Sequence, residues 1–144
     1  MSKVKYLIII VLLGFISIGI FLYYEYTKLH DYDENIMIYS EFLKKKPNDC
    51  FYNQQIAANY SFLKNFDEAI KHYEIVREKC PEDLLSLFQL GVCYYMKMNK
   101  DIGLKFMDEA IEKAKAANDK GLELRLKKEK FDWTNNWDLI KESG

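Results

Sequence analysis

Proline and glycine are scarce, with two prolines and six glycines among 144 residues. That excludes a collagen-like or Pro/Gly-rich disordered chain and argues against a sheet, because tight strand reversals draw on those residues. Histidine is as sparse, and His30 and His72 stand alone, without the paired spacing of a metal site. There is no glycine-rich phosphate loop, no H-E-x-x-H, no C-x-x-C and no G-x-S-x-G. The chain therefore reads as a non-enzyme, for which no metal, cofactor or small-molecule substrate is expected. Asp31-Tyr32-Asp33-Glu34 lacks the glycine and the distant glutamate of a calcium loop and reads instead as the acidic start of a helix. The formal net charge is only −1, and Lys44-Lys45-Lys46 is a short run at a helix end. Nucleic-acid binding, which needs clustered cations to displace phosphate counterions, is not expected.

Charge is wholly missing from Tyr6 to Tyr24, an apolar run of 19 residues bounded by Lys5 and Glu25. At ~1.5 Å per helical residue it covers nearly 30 Å, about the hydrocarbon thickness of a bilayer. It reads as a transmembrane helix over 6–24 after a short tail over 1–5. A cleaved signal peptide, with Ser17-Ile18-Gly19 as its small-residue site, is the competing reading. The run continues through Ile20, Phe21, Leu22, Tyr23 and Tyr24, longer than a usual signal core, and this favours an uncleaved anchor. Lys3, Lys5 and the amino terminus precede it, whereas Glu25, Asp31, Asp33 and Glu34 follow with only Lys28 among them. Excess lysine stays on the cytoplasmic side, so the remainder is expected outside the cytoplasm, in a bacterium the periplasmic face of the inner membrane. A domain facing the cytosol from an organelle membrane is the alternative. All 22 acidic residues lie beyond the run, in a single helical domain of roughly 119 residues.

That domain repeats itself. Pro47-Asn48-Asp49 returns as Pro81-Glu82-Asp83, a period of 34 residues that also brings Ile56 onto Leu90, Ala57 onto Gly91, Tyr60 onto Tyr94 and Asp67 onto Asp101. A period of this size marks stacked helical hairpins, each burying an apolar face that its neighbour covers. Asn48 or Asp49, Asp83, and Asn118 or Asp119 are candidate helix N-caps. Carried backwards, the period sets Tyr39 on Tyr73 and Ile36 on Ile70, so residues 31–46 read as a half repeat. Its first helix would occupy about 16–29, with His30 at a hinge.

Asn53-x-x-Ile56-Ala57-x-x-Tyr60, then Ala69-x-x-x-Tyr73 and Pro81, resembles the tetratricopeptide repeat, and Leu87-x-x-Leu90-Gly91-x-x-Tyr94 with Gly103-x-x-x-Met107 is its second copy. Both lack the family's tryptophan, and Lys115 stands where the second proline would be. The expected fold is all-α: a transmembrane helix, then a short solenoid of hairpins over 48–81 and 82–115, then a degenerate capping helix pair over 118–144. Ala57 and Gly91 should face Ala69 and Gly103, small residues that let antiparallel helices approach. Trp133 and Trp137 are expected to pack back on the second repeat. An antiparallel hairpin would place Cys50 and Cys80 side by side, so a disulfide is possible. Free thiols are favoured, because helix-end spacing often exceeds the ~7 Å limit between Cα atoms. Cys93 reads as a small core residue.

In this family the first helix of each repeat lines a groove that binds protein. The resemblance implies Phe51, Gln54, Ala58, Ser61 and Phe62 from the first copy, then Leu85, Phe88, Gln89, Val92, Tyr95 and Met96 from the second. Family members that grip acidic chaperone tails carry cations and asparagine there; Gln54, Ala58, Phe88 and Val92 do not fit that role. An apolar peptide stripe or partner helix suits these residues better, and alanine at Phe88 and Tyr95 is expected to abolish binding with little loss of helix. The reading is a membrane-anchored protein-interaction module, a scaffold or assembly factor whose protein partners are membrane-associated. A transport receptor or holdase for apolar client segments is the alternative.

Overall fold

Between Gly19 and Pro47 the sequence offers no proline or glycine at which a helix would stop, and one helix, α1 (Lys3–Leu43), runs unbroken to within four residues of Pro47. The computed structural model describes residues 3–135, with side chains from residue 10 onward, and every regular element among them is an α-helix. After α1 come α2 (Cys50–Phe62), α3 (Phe66–Lys79), α4 (Leu84–Met96), α5 (Lys100–Ala116) and α6 (Lys120–Asn135). Residues 136–144, with Trp137 and any second capping helix, lie outside the described residues.

The continuity of α1 corrects two expectations. No turn forms at His30, so residues 16–29 do not fold back as the first helix of a repeat, and Asp31 to Glu34 lie inside a helix rather than at its start. His30-Asp31-Tyr32 contains none of the turn-forming residues that would release the backbone from its i→i−4 ladder. Residues 31–43 nevertheless pack as the second helix of a hairpin would. The Tyr32 ring stacks on Phe62 with centroids 5.0 Å apart, and Phe42 stacks on Tyr52 at 4.9 Å, so α1 and α2 run antiparallel. Tyr39 fills the space between, edge-on to Phe51 and tilted against Tyr52. Among the described side chains, those of α1 from Ile10 to Tyr24 are all exposed, and α1 is long and apolar enough to cross a membrane.

Two helical hairpins follow, α2 with α3 and α4 with α5, and α6 packs on α5. Each hairpin closes where small residues meet. Ala57 and Ala69 are fully buried, and Gly91 and Gly103 approach so closely that a Cβ on either would stand 2.7 Å from the other's carbonyl oxygen. Aromatic stacking repeats with the period: Tyr60 lies on His72 at 6.0 Å and Tyr94 on Phe106 at 5.6 Å. The helix stops repeat as well. Lys64 and Met98 take positive φ, 59° and 65°, and the next amide in each case bonds back to the carbonyl of Tyr60 or Tyr94. Asn118 does the same after α5. This left-handed cap satisfies carbonyls that a helix end would otherwise strand. Asp49, Asn65, Asp83 and Asp119 accept the first amides of the helices that follow. Leu126 of α6 is fully buried in a core with Phe88 and Met107, and Trp133 packs against the same core.

Cys50 and Cys80 form a disulfide across the open end of the first hairpin, with Cα atoms 6.4 Å apart. The expectation of free thiols is corrected: Cys50 opens α2 and Cys80 caps α3, and the two ends meet inside the geometric limit. Cys93 is free and buried, as expected.

Two outcomes follow from this packing. Gly103→Ala should destabilise the protein by about 1 to 3 kcal/mol in urea denaturation, because the overpacking outweighs a helix-propensity gain of up to ~1 kcal/mol. Cys50→Ser with Cys80→Ser should cost about 3 to 4 kcal/mol by the same assay, the loop-closure entropy returned to the unfolded chain.

Candidate functional site: a groove between first helices

The hairpins set α2 and α4 side by side and pointing the same way, as two cross-links show. The Gln54 amide donates to Asp83 Oδ2 at 3.0 Å, and further along Ser61 Oγ meets Cys93 Sγ at 3.1 Å. The first contact is structural, since Asp83 also caps α4 through the Ser86 amide (3.0 Å) and hydroxyl (2.7 Å). Between these helices and Trp133 of α6 lies a groove of about 690 Å³.

Eight of the expected partner-binding residues line it. Gln54, Ala58, Ser61 and Phe62 come from α2, and Leu85, Gln89, Val92 and Met96 come from α4. Three expected residues lie elsewhere. Phe88 is completely buried and Tyr95 is only 4% exposed, both within the core that α4 shares with α5 and α6. Phe51 is exposed but faces α1, against Tyr39 and Tyr52. The reason is that α4 is covered on several sides and nearly apolar all round, so helical spacing alone does not separate its groove face from its core face.

Sequence reasoning also missed part of the lining. Gln55 stands one period before Gln89, a signal that was available in the repeat, and both reach the groove. Lys64 enters from the α2–α3 turn, Phe66 and Tyr73 from α3 and Trp133 from α6. Their participation depends on how the elements are stacked, which no local pattern encodes.

The groove floor is polar but uncharged. Burial pushes the Cys93 thiol up to about 11, and it raises the Tyr73 phenol, which bonds to Ser61, well above the ordinary tyrosine value. Both groups are therefore neutral at physiological pH. Lys64 is the only charged residue among those described in the lining. Between α2 and α3, fully buried Asn53 locks the hairpin: its amide donates to the carbonyls of Pro47 (3.0 Å) and Asp49 (2.8 Å), and its oxygen lies 2.8 Å from His72 Nδ1. Nδ1–H donates in this arrangement. Burial lowers the His72 pKa, Glu68 opposes that shift, and Lys71 adds to it. No group of three or more His, Cys, Asp or Glu is placed to hold a metal ion among the described residues. No family model and no curated protein matches the chain.

Phe88→Ala should therefore act through the fold, lowering unfolding free energy by about 3 to 5 kcal/mol, and a normal denaturation curve for this variant would refute its core placement. The depressed His72 pKa gives a signed pH dependence. Its contribution to stability is complete above the ordinary histidine value of about 6.5 and is lost as pH falls through the lower folded value. Urea midpoints should drop over that acidic window in the native chain, and His72→Gln should flatten the drop.

Proposed function

We propose that the chain is a membrane-anchored, non-enzymatic interaction module of tetratricopeptide type, which holds a protein partner in the groove between α2 and α4. The observation that carries this reading is the groove itself: about 690 Å³, walled by Ala58, Phe62, Leu85, Val92 and Met96, with glutamine amides placed among them. Apolar walls reward burial of an apolar stripe, while a few amides fix its register. The 34-residue recurrence of stacked rings and left-handed helix stops supports the repeat assignment.

The exposed apolar run of α1 is the anchor in this proposal, with the hairpins held outside the cytoplasm. The Cys50–Cys80 disulfide supports that side, since such bonds persist in oxidising compartments and are rare in the cytosol. Anchoring and groove together favour a scaffold or assembly role in a membrane-associated complex.

The test is affinity purification of the detergent-solubilised full-length chain with quantitative mass spectrometry. One partner in fixed stoichiometry is expected. Ala58→Glu and Met96→Glu should each reduce its recovery at least ~10-fold by placing an unpaired charge in an apolar contact, while Phe51→Ala should leave it unchanged. Weak recovery of many proteins would favour a receptor or holdase, and recovery insensitive to the groove variants would reject this site.

A further inference from the structure

The groove has a direction relative to α1. Tyr32 stacks on Phe62, whereas Phe42 stacks on Tyr52. The carboxyl end of α2 therefore points back along α1 towards the apolar run, and its disulfide-bonded amino end points away. Tyr32 is eight residues beyond Tyr24, about 12 Å along a helix axis. Because α4 runs parallel to α2, Met96 lies at the same end as Phe62, joined there by Lys64 of the α2–α3 turn and Phe66 at the start of α3. The lining at this end is thus aromatic and apolar with one cation, Lys64, and it stands just outside the headgroup layer of a bilayer crossed by residues 6–24.

We propose that this end of the groove admits the first apolar residues of an integral membrane partner where its spanning helix leaves the bilayer, with an acidic side chain of the partner opposite Lys64. The inference rests on the anchored-groove reading and adds the partner's class and polarity. Two features select this occupant. Phe62 and Met96 offer their apolar surface just beyond the headgroups, within reach of a segment tethered to a spanning helix, and Lys64 is the sole charge among the described lining residues, so it favours an anion at that one end. Tethering also raises the effective concentration of a segment whose reach matches the span.

The experiment places the full-length chain in phosphatidylcholine nanodiscs, with benzoylphenylalanine replacing Phe62 in one preparation and Leu85 in another. The probe is a designed poly-leucine spanning helix that carries an eight-residue outer segment of leucine and phenylalanine with one glutamate. Crosslinking to this probe from position 62 in preference to position 85 is expected. Changing the probe glutamate to lysine should weaken association about 10-fold, and Lys64→Glu should restore it. Crosslinks to lipid alone, equal labelling from both positions, or indifference to the charge exchange would overturn the proposal. The same eight residues, supplied as a free peptide, separate the two readings. If the free peptide binds in a Met96-dependent manner while the tethered probe does not, the groove stands and its membrane-facing polarity falls. If neither binds and Met96→Glu leaves partner recovery unchanged, both fall.

Discussion

The aromatic seam between α1 and α2 is the constraint on which the rest of the molecule depends. Tyr32 on Phe62, Phe42 on Tyr52 and Tyr39 between Phe51 and Tyr52 join the outer third of a 41-residue helix to the first hairpin over nearly the whole length of α2. Such ring contacts contribute beyond the area they bury and favour particular offsets. The apolar run is consequently joined to the hairpin array by one continuous helix whose outer part is packed against α2. The orientation of the groove is set here, because α2 supplies one of its walls.

Beyond the seam, the hairpins are held by close approach at their middles and by constraint at their ends. The Ala57–Ala69 and Gly91–Gly103 contacts bring helix backbones together, and the left-handed stops at Lys64 and Met98 fix how the chain leaves α2 and α4. The first hairpin has two further devices at its open end, the Cys50–Cys80 bond and the Asn53 bridge to Pro47, Asp49 and His72. The second has neither. It has Leu126 and Trp133 of α6 packed over its core instead. Covalent and polar reinforcement thus sits on the hairpin next to α1, and apolar cover sits on the one next to α6.

Much of this arrangement was legible in the sequence because it is periodic. Tyr60 and Tyr94 predicted equivalent surroundings, and each stacks on the residue twelve positions further along, His72 or Phe106. What escaped was what periodicity does not carry. Matches such as Tyr39 with Tyr73 and Ile36 with Ile70 pointed to a hairpin over 16–46, yet likeness of residues cannot create a turn where His30-Asp31 keeps a helix intact. Phe88 and Tyr95 fit the pattern of a groove face, but covering α4 on several sides consigned them to the core. The disulfide turned on a distance between helix ends, 6.4 Å, that residue spacing alone does not fix. Lys64 and Trp133 reached the groove from a turn and a distant helix, through stacking rather than local pattern.

An unbroken α1 has a mechanical corollary for the anchored arrangement. From Tyr24 to Leu43 the helix projects about 28 Å, and nothing along it acts as a joint. Lipid thickness controls the lean of a spanning helix, and a change of about 20° would sweep the outer tip sideways by roughly 10 Å. The whole array would swing with it, so in the proposed anchored arrangement a thicker or thinner host bilayer would re-aim the groove without altering a single contact inside it.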